Sequence, residues 1–326
     1  MTQSIASAPG KTILFGEHAV VFGKPAIAAA VDRRAIVTVN SKKSNINSNI
    51  TFQSSSLDLK AELDLYKGHI KLIRGQSGIL NYVMETLFKK HDGSPIDIQL
   101  EMKMPVGAGL GSSAAVTVAT IAALDDFHNR KIEISQIAKV AHEVELTVQG
   151  AASPLDTAVS AHGGLIFLSE NFEIVPLKSD LKDYIVIGYT SNRGNTGEMV
   201  AGVKKRRDLH PEIMDPIINS VGNITLKAKD MLDVETLNTE KIEILGELMN
   251  INQGLLDAMG VNTFELSKMV YIARDAGAIG SKITGAGGGG SIIALCPGKT
   301  KDVLNALKNF ENAIQADFSK KGIIIH

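Results

Sequence analysis

The sequence predicts a two-domain protein of mixed α and β structure. Three observations predict it. The chain has 326 residues, and at about 150 residues per domain that length suggests roughly two domains. Short β-rich runs alternate with helical periodicity in both halves. Between the halves, residues 169–183 are polar and poorly periodic, which makes them the candidate junction.

Taken in order, Thr12 to Phe15 and Arg34 to Asn40 read as strands, and the Ser-, Asn- and Lys-rich residues 41–60 read as turns between edge strands. Residues 78–90 place Ile79, Val83 and Leu87 on one helical face, and Ile96 to Met102 read as the next strand. After Gly111 the run SSAAVTVATIAALDD is built of helix formers. Residues 135–148 begin with Ser135 as a cap and put Ile137, Val140, Ala141, Val144 and Val148 on one stripe. Gly164 to Leu168 and Tyr184 to Thr190 read as strands. Helical patterns cover 198–208, 212–232, 240–258, 263–276 and 301–316, with a strand at Ser291 to Leu295.

Hydrophobic residues make up 44% of the chain and charged residues 21%, the balance of a soluble globular protein with a sizeable core. The formal net charge is −1, from 34 basic and 35 acidic residues, which argues against a general nucleic-acid binder or an anionic membrane partner. The one basic cluster, Lys204 to Arg207, reads as a solvated helix face. Cys296 is the only cysteine, so no disulfide forms within the chain, it reads as buried filler, and a cytoplasmic location fits. The N-terminus lacks a basic-then-apolar signal pattern, and no apolar run approaches the roughly 20 residues of a membrane span.

Four stretches carry candidate chemistry. PVGAGLGSSAA, residues 105–115, sets a flexible turn directly before a strong helix. Glycines let the backbone turn sharply and approach a ligand closely, and a helix N-terminus presents unpaired N–H groups with partial positive charge. Pro105, Val106, Gly107, Ala108, Gly109, Leu110, Gly111, Ser112, Ser113 and Ala114 therefore read as a phosphate cradle. The plain alternative is a glycine-rich turn with no ligand. No Lys follows Gly111, so this is not a GxxxxGK[ST] loop; a first-turn hydroxyl can instead ligate Mg²⁺ beside a phosphate.

The second stretch, SAPGKTILFGEHAVVFGKPA, places Lys11 after a Pro-Gly turn, with Glu17 and His18 before another apolar run. These three converge on one pocket, or they are a strand-end salt bridge and a surface histidine. In the third, HEVELTVQGAASPLD, Glu145 lies in the last turns of a helix and Asp156 follows a small-residue turn. Such carboxylates hold a metal beside a phosphate or orient an acceptor hydroxyl; the alternative is two ordinary surface acids. His142 and Glu143 read as plain polar positions. In the fourth, KITGAGGGGSIIAL, five of the six residues from Gly285 to Gly290 are glycine, so a backbone closely approached by a ligand competes with a flexible hairpin tip.

Together these stretches, in this order, resemble the GHMP kinases, a superfamily of small-molecule kinases, over nearly the whole chain. GEHAVVFG at 16–23 is similar to the mevalonate kinase branch, and QGAASPLD at 149–156 to its archaeal forms rather than to the eukaryotic HGNPSGVD. The resemblance implies a GHMP two-domain α+β fold. An N-terminal domain, residues 1–175, carries the nucleotide loop, and a ferredoxin-like C-terminal domain, residues 176–326, closes a cleft that holds the active site. It implies transfer of the ATP γ-phosphoryl to the 5-hydroxyl of (R)-mevalonate. Lys11 and Asp156 match the catalytic pair, and Ser113 and Glu145 the Mg²⁺ ligands, with Ser112 a secondary hydroxyl. Glu17, His18 and Thr196 match the substrate site, and Gly285, Ala286 and Gly287 the closing loop. The expected partners are mevalonate and ATP, without nucleic acid or membrane; a homodimer is compatible. Phosphomevalonate or sugar kinase activity and a non-catalytic sensor of the same fold are the competing readings, and the GEHAVVFG segment argues against a decarboxylase.

Overall fold

In a computed structural model of the chain, the described residues are 3–42, 50–76, 78–105, 109–150, 152–179, 181, 184–192 and 194–326. The chain opens with β1 (Gln3–Phe15), a 3₁₀ turn (Ala19–Phe22) and β2 (Ala26–Ser41). The short strands β3 (Ile50–Ser54), β4 (Leu59–Asp64) and β5 (His69–Arg74) follow, then α1 (Gly78–Lys90) and β6 (Ile96–Met102). Helices α2 (Ser112–Phe127), α3 (Ile134–Gln149) and α4 (Pro154–His162) come next, then β7 (Leu165–Leu168) and β8 (Ile174–Leu177). The second half runs β9 (Ile185–Tyr189), α5 (Thr196–Leu209), α6 (Pro211–Leu232), α7 (Thr239–Ala258), α8 (Phe264–Asp275), β10 (Gly280–Thr284), β11 (Ser291–Leu295), α9 (Thr300–Lys308), β12 (Asn312–Ala316) and β13 (Ile324–Ile325).

Two sheets organise these elements. The first runs β13-β1-β2-β6-β3-β4-β5, with β7 pairing the start of β2 and β8 pairing β7. The second is β10-β11-β9-β12, all antiparallel. Numbered 1 to 4 in chain order, those four strands read 4-1-3-2, the order of a ferredoxin-like βαββαβ layer. The last strand returns to the first sheet, where Ile324 and Ile325 pair with Ser7 and Ala6.

Helix α2 is the buried axis of the first half. Every residue from Ala114 to Asp125 is buried, as expected of a helix apolar on nearly all sides. It packs against β1 and β2 on one side and against α1, α3 and α4 on the other. Alanines along α2 and the inward face of α1 (Leu80, Val83, Leu87) let these elements approach closely in one core. The other face of β1, β2 and β7 shares a second core with the C-terminal half: Leu14, Ile27, Val31 and Leu165 cluster with Ile185, Leu245, Ile293 and Ala316. Among the described residues, no helix is long and apolar enough to cross a membrane.

Several local expectations are corrected. Pro9 and Gly10 do not form a turn before a strand; they lie inside β1 at a register shift against β2, where a missing N–H is tolerated. Residues 41–60 contain β3 and the start of β4, and residues 169–183 contain β8. Helix α3 starts at Ile134 with Glu133 at the cap, so Ser135 is already inside it. The helix expected over 301–316 stops at Lys308, and Asn312–Ala316 form an edge strand on β9. Nothing in NAIQA itself favours a strand; pairing with β9 decides its conformation. Cys296 is buried as expected, and burial pushes its thiol up to about 11.

Candidate active site

Lys11 sits in the inner half of β1, and its N–H donates to the Leu110 carbonyl at 2.9 Å. That bond ties the strand to the glycine turn. Gly111 occupies the cap of α2 with φ +65°, and a Cβ there would lie 2.7 Å from Lys11 Cγ. Only glycine combines that backbone conformation with that contact. Ser112 and Ser113 therefore stand in the first turn of α2, not at its cap, and their N–H groups are among those a helix leaves unpaired. Leu110 and Ala114 are buried in the core, Pro105 and Gly111 are half-buried and Gly109 is exposed. Val106, Gly107 and Ala108 lie outside the described residues.

The Lys11 side chain is nearly buried, and its Nζ lies 3.0 Å from Asp156 Oδ2. Asp156 is not in a loop. It occupies the first turn of α4, a helix started by Pro154 and capped by Ser153, whose Oγ accepts from the Leu155 N–H. Beside this pair, Ser113 Oγ donates to Glu145 Oε1 at 2.9 Å. Glu145 is buried on α3, and burial together with the neighbouring Asp156 pushes its carboxyl up to about 7, against smaller pulls from Ser113 and Lys11. Residues far apart in sequence thus form one contiguous charge cluster at the N-terminus of α2.

Glu17 and His18 follow β1. Glu17 is fully buried and pairs with the equally buried Lys282 of β10, while Asn252 Nδ2 donates to its other oxygen at 3.2 Å. Lys282 Nζ also donates to the Ile283 carbonyl at 2.7 Å. His18 has a left-handed backbone, φ 60°. Its Nε2 donates to the Ala286 carbonyl at 2.8 Å, and burial pushes its imidazole below the usual 6.5. His18 is thus neutral near pH 7, and its buried Nδ1, a lone-pair acceptor, has no partner among the described residues.

Gly285, Ala286 and Gly287 belong to the hairpin loop joining β10 to β11, so the hairpin-tip reading holds for its topology. The tip is nonetheless packed. A Cβ at Gly287 would meet the Val261 carbonyl at 2.2 Å, and one at Gly194 would meet the Gly287 carbonyl at 2.1 Å. The base of the hairpin is bonded to β1, where Thr284 Oγ1 accepts from the Ile13 N–H at 3.0 Å and lies 3.1 Å from Thr12 Oγ1. The nearest neighbours of a Cβ at Gly109 would be Ser291 and Thr284, so the two glycine loops face each other. Thr196 opens α5 two residues beyond Gly194, is exposed, and is joined to the cluster by no hydrogen bond among the described residues.

Two neighbours escaped the sequence reading. Tyr82 of α1 stands beside Glu145, Ser113 and Gln149, and burial, then Glu145, raise its hydroxyl above the usual value of 10. Lys282 neutralises Glu17 from the other sheet. A lone tyrosine on an amphipathic helix and a lysine in a short strand carry no spacing signal.

Comparison with known proteins follows the same lines. Residues 78–164 match the GHMP kinases N terminal domain, and residues 234–313 the GHMP kinases C terminal domain. The mevalonate kinase of Methanothermobacter thermautotrophicus is 51% identical over 99% of this chain and 100% of its own length. That of Pyrococcus furiosus is 46% identical over 93% of this chain and 92% of its own. The crystal structure of the Methanococcus jannaschii mevalonate kinase superposes with a TM-score of 0.77 at 26% identity, covering 97% of this chain and 98% of that one. With both halves matched in order and identity this high over nearly the full length, the chain belongs to the GHMP kinases, in the mevalonate kinase family.

Proposed function

We infer that the protein transfers the γ-phosphoryl of ATP to the 5-hydroxyl of (R)-mevalonate, giving 5-phosphomevalonate and ADP. The observation that carries the reading is the Lys11–Asp156 pair set beside Ser113 and Glu145 at the N-terminus of α2. Similarity to the archaeal mevalonate kinases supplies the acceptor. In this reading residues 1–175 carry the nucleotide and residues 176–326 close over the acceptor, in a cytoplasmic enzyme.

Phosphoryl transfer asks the protein for positioning and for stabilisation of charge spreading over the γ-phosphoryl oxygens. The free N–H groups at the start of α2 face the phosphates, with the helix dipole behind them. Lys11 stabilises the transferring group. Asp156, held by Lys11, accepts a hydrogen bond from the acceptor hydroxyl, aims its oxygen at phosphorus and takes its proton late in the transfer. The free Nδ1 of His18 accepts from a hydroxyl of the substrate, Glu17 and the 285–287 loop wall the acceptor site, and Thr196 stands at its rim.

The residues present fit Mg²⁺. Ser113 and Glu145 are hard oxygen donors in contact, and the pull of Lys11 on the buried Glu145 carboxylate is too small to offset its burial, so a cation there would be favoured. Bound there beside the nucleotide, Mg²⁺ supplies neutralisation of phosphate charge.

A coupled ADP assay over mevalonate, phosphomevalonate, galactose and homoserine tests the reading. Turnover is expected with mevalonate alone, and preference for another acceptor would overturn it.

A further inference from the structure

The other end of α2 carries a second cluster. The helix spans 16 residues, so at about 1.5 Å per residue its C-terminus lies roughly 24 Å from the Ser113 end. There His128 caps α2, while His91 and Asp92 directly follow α1. His91 Nε2 contacts the Ser94 carbonyl at 2.8 Å. A carbonyl only accepts, so Nε2 carries the proton and Nδ1 the lone pair. That Nδ1 lies 3.0 Å from His128 Nε2. Asp92 is oriented by the Ser94 N–H, 2.9 Å from its Oδ1. One ligand atom from each of the three residues lies within 4.8 Å of the others; Asp92 Oδ1 now lies 3.8 Å from His91 Nε2, so ligation beside Nδ1 asks the exposed Asp92 carboxylate to swing toward His128.

We propose that His91 Nδ1, His128 Nε2 and the Asp92 carboxylate bind a Zn²⁺-class transition-metal dication that pins the ends of α1 and α2 together, separate from the phosphoryl-transfer site. Two imidazoles and a carboxylate suit Zn²⁺ and its neighbours, and disfavour Mg²⁺. A Zn–N length of about 2.0–2.1 Å puts tetrahedral ligand atoms about 3.3 Å apart, so the histidine pair has only a few tenths of an ångström to open. The Ser94 carbonyl already plays the part of the outer partner that fixes a ligating histidine's tautomer. Both helices end here, and the partial negative charge of two C-termini favours a cation. Arg130 stands nearby and opposes one, but it is held by the Lys90 carbonyl at 2.6 Å and by Asp125 at 3.4 Å, and Asp125 also takes the Lys90 ammonium at 2.9 Å. Exposed Asp92 leaves the remaining coordination positions to water.

The test titrates the metal-stripped full-length protein with Zn²⁺ in excess Mg²⁺, which occupies the Ser113–Glu145 site, and reads calorimetry and thermal melting. One Zn²⁺ per chain and a raised Tm are expected. His128→Gln should weaken that binding by about a hundredfold, at the upper end of what loss of an outer partner alone costs, with kcat in saturating Mg²⁺ within twofold of the parent. Asp92→Asn, an exposed change that keeps the fold, should weaken it about tenfold. Absence of stoichiometric Zn²⁺ binding, affinity unchanged in both variants, or a collapse of kcat in folded His128→Gln would each overturn the proposal.

Discussion

Lys11 of β1 and Asp156 of α4 meet through a 3.0 Å ion pair, although 145 positions separate them in the chain. The pair joins a strand of the first sheet to the first turn of a helix beside the glycine loop. Replacing the carboxylate by an amide keeps the shape and removes the proton acceptor. Asp156→Asn should therefore lower kcat by about 10²–10⁴-fold while ATP affinity survives. Equilibrium nucleotide binding and steady-state turnover measured on one preparation check it, and near-normal turnover would remove Asp156 from the chemistry.

Lys11→Met tests the other half of the pair. Loss of a charge aimed at the transferring group should cost about 3 kcal/mol of transition-state stabilisation, roughly a hundredfold in kcat. If only the KM for ATP changed, Lys11 would bind the ground state and not the transition state.

The Ser113–Glu145 contact predicts a pH-dependent metal requirement. With its carboxyl pushed up to about 7, Glu145 is protonated below that pH, and a proton must leave before Mg²⁺ binds. The Mg²⁺ concentration for half-maximal activity should rise as pH falls from 8 to 6, and Ser113→Ala should raise it at every pH. For stability the sign is opposite to that of an ordinary salt-bridged acid. The folded value lies above the ordinary 4.5, so Glu145's contribution is fully present below about 4.5 and is lost as pH rises through about 7. Metal-free Glu145→Gln should accordingly melt higher than the parent at pH 8, and a lower Tm there would contradict the assignment.

Glu17 and Lys282 are both wholly buried, one from each half of the chain. Lys282→Met strands a carboxylate in the interior and should destabilise by about 3–5 kcal/mol, whereas the double variant Glu17→Gln/Lys282→Met should recover much of that loss. Urea denaturation of the set measures it; additive single and double effects would mean that the two charges do not depend on each other.

Gly111→Ala probes the join between loop and strand. The added Cβ would collide with the Lys11 side chain in a backbone conformation that alanine disfavours. Turnover should fall as it does in Lys11→Met, with the global Tm moving by only a few degrees. Unchanged kcat would show that Lys11 tolerates displacement.

Local order was largely legible in the amino acids. Helix α1 and strands β6 and β11 lie where periodicity puts them, because each buries one regular face or runs continuously apolar. The short strands β3, β4, β5 and β12 were not legible. Ile50, Thr51 and Phe52 of β3 favour a strand but sit in a polar stretch rich in Ser, Asn and Lys, β12 carries weak preference, and partners across the sheet hold all four extended.

At the candidate site, the chain by itself determined the chemical inventory: a glycine turn before a helix, its first-turn serines, a lysine, three acids, a histidine and a second glycine loop. The glycines were readable because unusual backbone conformations and close approaches restrict residue choice at single positions, and the charged residues because their segments resemble those of the GHMP kinases. Tertiary structure decided which of them touch. It paired Lys11 with Asp156 and Ser113 with Glu145, assigned Glu17 a lysine from the other sheet, and kept His18 neutral beside a carbonyl. Charge state and contact depend on burial and on neighbours brought in from remote segments, and neither is encoded in any local run of residues.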